Sequence, residues 1–512
     1  MAQCAYSIEF GHYNPASGLV ETSYASSKGF TGLPGDTPAE QHFPGRLKQA
    51  GLLRREVFGD RTTGGAGRNT AGESLLVNID GHYDALIEHG FDGRAVVIRY
   101  GQIGSAYPAA WTTVFTGTLQ QALIDTKAVT LRLRDKQALL ADKPISTSTY
   151  AGNNALPDGV EGTPADLKEK RKPRLWGSAK NFAAPCVNTS KLVYQISDGA
   201  IVTASAYDKR VALTRGSDYT SLADLLANAP AAGNFRVWLA GGLIRLGSKP
   251  LQLTCDASEG ATSADRCPAA IMQRIATGPG GLASGDIAAA DVATLASAAP
   301  GECGLWCGGD ETVGAVLTRF ANSCGAWWGI DALGSLRMRQ LAAPSGSAVL
   351  TLTQRNVVSL EPIAANDDGK GLPPYRTEVS YGLNHTVQAE VAGSVSAADA
   401  AWAALQWRSA SATDATIRTK HPLAPVRQVE SLYINEASAQ AEAGRQQALH
   451  GAGRLWLSLA IRLRPADLAA LDIGVELRLE HPRLGLASGR NFIVMGLLPD
   501  LARNRAELIL WG

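Results

Sequence analysis

The chain has 512 residues and a formal net charge of +1, from 48 Lys and Arg against 47 Asp and Glu. This balance argues against a dedicated nucleic-acid-binding protein, and an apolar content of 45% argues against wholesale disorder. The length predicts about three or four domains, and the 54 glycines and 24 prolines favour short strands joined by tight turns.

Residues 1–145 are predicted to form a β domain. The segments 94–100 and 129–134 are rich in β-branched residues or alternate between apolar and polar, as half-buried strands do. The glycine-rich stretch 59–67 predicts a mobile loop. Residues 146–235 are predicted to be a connector and a second β domain, with a strand at 192–196.

Residues 236–345 are predicted to be a mixed α/β domain. Asp310 is a candidate N-cap for a helix, whose apolar stripe is Val313, Val316, Leu317, Phe320 and Cys324. Residues 346–512 return mostly to strand, with short helices. The strands are expected at 475–480, 492–495 and 506–511, and the helices at 396–408 and 435–450. A further helix is expected at 286–298, within the preceding mixed α/β domain.

Five of the seven cysteines fall between positions 255 and 324. The candidate ligands for zinc or an iron–sulfur cluster are Cys255, Cys267, Cys303 and Cys307. Their spacing is poor for zinc, because no second close pair follows Cys303 and Cys307. Inert thiols, disulfides formed after release and a metal centre remain open interpretations. We assign no catalytic, cofactor-binding or metal-binding residue from the sequence.

Sequence motifs for catalysis are not well formed. No Gly-x-Ser-x-Gly elbow, phosphate-binding loop or His-Glu-x-x-His pair occurs. His82 and His89 flank Asp84 and Glu88, but these residues lie near glycine turns where polar residues are ordinary. We therefore expect a protein that is not an enzyme.

Several short segments together resemble the tail-tip and baseplate proteins of long-tailed, siphophage-like bacteriophages. The segments are 76–81, 90–94, 130–135, 172–177, 373–376, 384–388, 489–494 and 508–512. The resemblance implies a β-rich multi-domain (α+β) fold. Its β-sandwich and β-barrel domains would be related to the tail tube and tail hub, with a partly helical insertion. Residues 1–145 would be distal-tail-like and residues 346–512 hub-like.

The same resemblance implies a structural virion protein, assembled in the host cytoplasm. The protein would form a ring, with a trimer favoured over a hexamer, that joins the tail tube to the distal tip and leaves a channel for DNA ejection. Its partners would be the tail tube protein, the tape measure protein and other baseplate and fibre proteins. Some hub proteins carry an iron–sulfur cluster, so the metal interpretation stays open.

Two other functions are considered. A tail-associated cell-wall hydrolase or peptidase would have to use Cys303 or Cys307 with a distant histidine. A receptor- or glycan-binding module could use Trp327 and Trp328 as a stacking platform, although adjacent aromatics after a helix are more often core. No apolar run reaches about 18 residues, and the N-terminus lacks a signal-peptide pattern, so neither a membrane span nor secretion is expected.

Overall fold

The computed structural model describes residues 3–65, 67–366, 371–500 and 503–512. The chain is β-rich, with several sheets and a partly helical region between them. Within the described residues, no helix is long and apolar enough to cross a membrane. Short 3-10 helices lie at Gly59–Arg61, Asp84–Leu86, Leu239–Gly241, Ala264–Arg266 and Ser284–Asp286.

A seven-stranded sheet occupies the first part of the chain, in the order β2-β1-β9-β10-β11-β8-β5. Its buried face carries Ile8, Phe10 and Ile98, each fully buried, at the alternating positions that face one side of a strand. The strands up to this point are β1 (Cys4–Asn14), β2 (Leu19–Ser26), β3 (Phe30–Thr31), β4 (His42–Phe43), β5 (Leu47–Gln49), β6 (Arg54–Glu56), β7 (Arg68–Thr70), β8 (Glu73–Val77), β9 (Ala95–Gln102), β10 (Thr112–Ile124) and β11 (Ala128–Asp135).

Two five-stranded sheets follow and enclose one apolar core. The first contributes Phe182 and the second contributes Phe235 and Ile244. Their order is β16-β15-β20-β12-β21, where β21 is Gly304–Cys307 from later in the chain, and β13-β14-β19-β18-β17. The elements are α1 (Lys136–Ala141), β12 (Arg174–Phe182), β13 (Cys186–Asn188), β14 (Val193–Gln195), β15 (Thr203–Asp208), β16 (Val211–Ala212), β17 (Thr214–Arg215), α2 (Leu222–Ala227), β18 (Asn234–Trp238), β19 (Leu243–Leu246) and β20 (Leu253–Ser258).

The helical region packs around a second core. Its elements are α3 (Pro268–Thr277), α4 (Ala289–Ala298), β21 (Gly304–Cys307), α5 (Val313–Ser323), β22 (Ala326–Ile330) and β23 (Leu336–Gln340). The predicted apolar stripe of α5 is confirmed, since all five of its side chains are fully buried. The predicted N-cap Asp310 is wrong. Thr312 caps the helix instead, because its hydroxyl accepts from the Ala315 N–H at 3.3 Å.

The C-terminal part combines a curled sheet with a smaller one. The curled sheet has the order β24-β30-β31-β32-β29-β25, and the three-stranded sheet has the order β27-β26-β28. The elements are β24 (Leu350–Thr353), β25 (Val357–Pro362), β26 (Arg376–Tyr381), α6 (Ala397–Ala404), β27 (Arg408–Thr413), α7 (Thr416–Lys420), β28 (Val426–Glu430), α8 (Glu436–Gly451), β29 (Trp456–Arg462), α9 (Pro465–Ala470), β30 (Glu476–Glu480), β31 (Arg490–Asp500) and β32 (Arg505–Trp511).

The expected β-barrel is not closed. The two edge strands of the curled sheet, β24 and β25, are consecutive in the chain and joined by residues 354–356, but no ladder pairs them within the described residues. The Asn356 N–H donates to the Thr353 carbonyl at 2.9 Å, which makes a tight turn between these edges. Within the described residues the sheet is thus curled but open.

Residues 54–70, here called the strap, connect the N-terminal sheet to the C-terminal sheet. Glu56 in β6 lies opposite Gly496 in β31, and the Val57 N–H donates to the Met495 carbonyl at 2.8 Å. Val57 and Phe58 are buried, at 0% and 2% exposure. In the predicted mobile loop 59–67, the described residues form the 3-10 helix Gly59–Arg61 and irregular structure, and the Gly65 N–H donates to the Asn322 side chain at 3.1 Å. The mobility of this loop stays a prediction, and Ala66 lies outside the described residues.

Candidate assembly surface

The hairpin of β1 and β2 forms one edge of the seven-stranded sheet. Within the described residues β2 pairs only with β1, so its other side is an unpaired edge. The turn is closed by the Gly18 N–H, which donates to the Asn14 carbonyl at 2.9 Å, and by the Asn14 side chain, which accepts from the Ala16 N–H at 2.9 Å. Gly18 has a φ of 70°, which glycine adopts without strain.

The end of this hairpin exposes apolar side chains, which we call the hairpin patch: Tyr13, Leu19 and Val20. Their exposed fractions are 38%, 65% and 56%. Tyr13 and Val20 are cross-strand partners, so their side chains share one face of the hairpin, whereas Leu19 lies on the other. Soluble proteins commonly protect edge strands with charge or proline, and this end of the hairpin instead presents apolar residues on both faces.

A histidine pair lies behind the hairpin patch. The Nδ1 atoms of His12 and His89 are 2.9 Å apart, and the Nε2 atom of His12 lies 2.9 Å from the Ser23 hydroxyl. Burial lowers the pKa of His12, and the neighbouring His89 lowers it further. One ring must donate and the other accept, so protonation of both would break this contact. The pair was missed in the sequence, because 77 positions separate its members.

His82 and His89 do not converge on Asp84. The His82 ring packs edge-on against the Tyr83 ring at 4.7 Å, and Asp84 accepts from the Asn78 amide at 2.8 Å. Among the described residues, no group of three or more His, Cys, Asp or Glu side chains is arranged to hold a metal ion. The polar residues of this loop therefore fit turn and packing roles.

The four candidate cysteine ligands do not meet at one point. Cys255 lies opposite Phe182 at one end of β12, in the sandwich core. Cys267, Cys303 and Cys307 lie in the core of the helical region, and Cys307 lies opposite Arg174 at the other end of β12. All seven cysteines are free thiols. Because Cys255 is separated from the others, these four residues do not fit one four-thiolate cluster.

The thiols required by a cysteine hydrolase are deeply buried. Burial raises the pKa of Cys303 and Cys307 well above the usual thiol value, which disfavours a nucleophilic thiolate. The nearby His385 is engaged elsewhere, since its Nε2 atom accepts from the Trp306 N–H at 3.1 Å and its Nδ1 atom lies 3.1 Å from the Lys180 carbonyl.

The two adjacent tryptophans do not form an exposed platform. Trp327 and Trp328 are 3% and 2% exposed, and they point into different cores on opposite faces of β22. The Trp328 indole donates to the Thr318 hydroxyl at 3.1 Å. The glycan-stacking role considered for this pair is wrong, because strand alternation buries one ring on each side.

No protein-family model and no curated protein matches the sequence. Several solved structures align over much of the chain at low identity. A 43 kDa prophage tail protein from Shewanella oneidensis is 11% identical and covers 98% of this chain and 95% of its own, with a TM-score of 0.38. A tail protein from Neisseria meningitidis is 12% identical, with coverages of 99% and 96% and a TM-score of 0.38. A chain of a native gene transfer agent virion is 14% identical, with coverages of 73% and 90% and a TM-score of 0.42.

Proposed function

We propose that the chain is a structural protein of a phage tail tip or baseplate, which forms a ring between the tail tube and the distal tip. The observation that carries the proposal is the hairpin patch on an unpaired sheet edge. The sequence segments that resemble tail-tip proteins support the same role, and the ring needs no cofactor or catalytic residue.

Burial of the hairpin patch provides a driving force for subunit contact. Leu19 and Val20 together would contribute about 2–4 kcal/mol when a neighbour covers them. The open edge of β2 can also add backbone hydrogen bonds to a strand of the neighbour. A contact between this hairpin and a different surface of the next subunit is head-to-tail, and such contacts close into rings.

The proposed ring is a trimer, with a hexamer as the alternative. Its neighbours would be the tail tube protein, the tape measure protein and other baseplate and fibre proteins. The formal net charge of +1 suits a channel, because a strongly basic lining would hold DNA phosphates and oppose ejection.

The test is negative-stain electron microscopy of the purified protein, alone and with cognate tail tubes. We expect rings with a central hole or caps on tube ends. The double variant Leu19→Lys/Val20→Lys should abolish these assemblies without lowering the melting temperature, since both side chains are already exposed in the isolated chain. The matched control is Leu423→Lys, at a residue that is 84% exposed outside the hairpin.

Two outcomes would contradict the proposal. The first is normal assembly of the double variant, which would show that the hairpin patch is not the contact. The second is the absence of rings or caps in every mixture with tail tubes and baseplate proteins, which would refute the tail-tip role itself.

A further inference from the structure

Two histidines join the hairpin of β1 and β2 to a neighbouring loop. His12 in β1 is 2% exposed, and its Nδ1 atom lies 2.9 Å from the Nδ1 atom of His89. The Nε2 atom of His12 lies 2.9 Å from the Ser23 hydroxyl in β2. The His12 ring therefore links three segments, namely β1, β2 and residues 84–90, which we call the histidine loop.

The histidine loop is a surface segment whose end is attached to β1. The Tyr13 N–H donates to the Gly90 carbonyl at 2.7 Å, and the Gly90 N–H donates to the Tyr13 carbonyl at 3.0 Å. Leu86 packs against the core but is only partly buried. Four side chains of the loop are exposed: Asp84, Ala85, Ile87 and Glu88. Segments with few buried apolar contacts open at a lower free energy than the core does.

Protonation changes what the two rings can do for each other. Two neutral rings share one hydrogen bond, and a singly protonated pair still does, because one nitrogen remains an acceptor. When both rings are protonated, both Nδ1 atoms are donors, and two positive charges face each other. Among the described residues, no carboxylate is hydrogen-bonded to His12 or His89, so no acceptor replaces the lost contact.

The charge around the pair comes from several elements. Its charged side chains are Glu21 on β2, Arg94 before β9, Asp84 and Glu88 in the histidine loop, and Asp92 after it. Glu21 lies opposite His12 and raises the pKa of its ring, but the larger effects of burial and of His89 lower it. Hydrogen bonds from Asn14 and Ser17 lower the pKa of Glu21, so its carboxylate stays charged while the histidines titrate.

We infer that His12 and His89 form an acid-sensitive latch, in which protonation of both rings releases the histidine loop from β1. The released loop frees the backbone of Tyr13, which belongs to the hairpin patch, and so changes the surface that the patch presents to a neighbouring subunit. This effect on assembly rests on the proposed function, whereas the opening of the loop is a property of the isolated chain.

The test is amide hydrogen exchange of the full chain at about pH 7.5 and about pH 4.5, expressed as protection factors, which remove the intrinsic effect of pH on exchange. We expect the protection of the Tyr13 and Gly90 amides to fall about tenfold or more at the lower pH, the equivalent of one pKa unit. Ile98, fully buried in β9 between β1 and β10, should keep its protection, which distinguishes local opening from global unfolding.

The variant His89→Asn removes the titration of one ring. Its amide oxygen can accept from a protonated His12, so the loop should stay protected at about pH 4.5. His82→Asn is the matched control and should open as the native chain does, because His82 is exposed and its ring packs against Tyr83. Equal melting temperatures at neutral pH establish that both variants are folded.

Unchanged protection of Gly90 between the two pH values would overturn the inference, and so would equal opening in His89→Asn and the native chain. The ring ¹⁵N shifts of His12 and His89 in the native chain give a measurement that needs no variant: opening of the loop while either ring is still neutral would also overturn it. Because exchange is measured on the isolated chain, the latch can fail while rings still assemble, and assembly can fail while the latch still opens.

Discussion

His385 joins two parts of the chain through both of its ring nitrogens. Its Nε2 atom accepts from the Trp306 N–H, and its Nδ1 atom can donate to the Lys180 carbonyl. Only a neutral ring can serve both contacts. Burial accordingly lowers the pKa of His385 to about 4, although the Lys180 carbonyl acts in the opposite direction.

This shift predicts a loss of stability on acidification. Between pH 6.5 and pH 4 the unfolded chain binds a proton at His385 that the folded chain does not, so the free energy of unfolding falls as the pH falls. The expected loss from His385 is about 2 kcal/mol at pH 5 relative to pH 7.5. His12 and His450 also have lowered pKa values and act in the same direction. Urea unfolding at a series of pH values measures the slope.

The variant His385→Asn isolates this contribution, because an asparagine amide can accept from Trp306 and donate to Lys180 without titrating. We expect a shallower pH slope in this variant, and an unchanged slope in the control His82→Asn, at an exposed histidine. A slope that is the same in His385→Asn and the native chain would show that His385 does not titrate as proposed.

The strap determines how the first and last thirds of the chain are held together. The Gly65 N–H donates to the Asn322 side chain at 3.1 Å, and the Asn69 amide donates to the Ile330 carbonyl at 3.1 Å. The Gln137 amide donates to the Gly67 carbonyl at 3.0 Å. Because β6 also pairs with β31, the strap contacts both the C-terminal sheet and the helical region.

Phe58→Ala should therefore destabilise the isolated chain by about 3–5 kcal/mol, through lost burial and the cavity left behind. Leu52→Ala, six positions earlier at a residue that is 50% exposed, should change stability by less than about 1 kcal/mol. Chemical unfolding of both variants measures the difference. Equal, small effects in the two variants would mean that Phe58 does not anchor the strap.

In the whole molecule, Asn181 connects the sandwich to the segment before α6. Its amide nitrogen carries two hydrogens and lies 2.9 Å from the Asn384 side-chain oxygen, 2.6 Å from the Thr386 carbonyl oxygen and 3.0 Å from the Gln388 side-chain oxygen. The residue is fully buried and has a φ of 55°, a conformation that asparagine tolerates better than most residues. One buried amide thus holds a contact between segments more than 200 positions apart.

Asn181→Asp should cost about 3 kcal/mol or more at pH 7.5, because a buried carboxylate would face three oxygen acceptors. The loss should shrink towards pH 4, where the carboxyl can protonate and donate one hydrogen bond. Asn181→Ala removes the amide without adding charge and should lack this rescue on acidification. The test is thermal unfolding of both variants at a series of pH values. A loss of stability in Asn181→Asp that does not change with pH would refute the proposed geometry.

The strand predictions at 94–100, 129–134 and 506–511 are confirmed by β9, β11 and β32. The helices expected at 396–408 and 435–450 are also present, capped by Ser396 and Asn435, although α6 ends at Ala404. These features could be predicted because period-two and helical patterns, together with N-caps, are local. The candidate site could not be predicted in the same way: the hairpin patch appears in the sequence only as three ordinary apolar residues.

Local pattern and composition were sufficient to establish a β-rich, multi-domain chain with a helical region, because each strand or helix carries its own periodicity. Only the tertiary structure decided which edges stay unpaired, that Cys255 is separated from the other thiols, and that His12 and His89 are in contact. These outcomes depend on contacts between residues far apart in the chain, such as Glu56 with Gly496, and no local pattern encodes such a pairing.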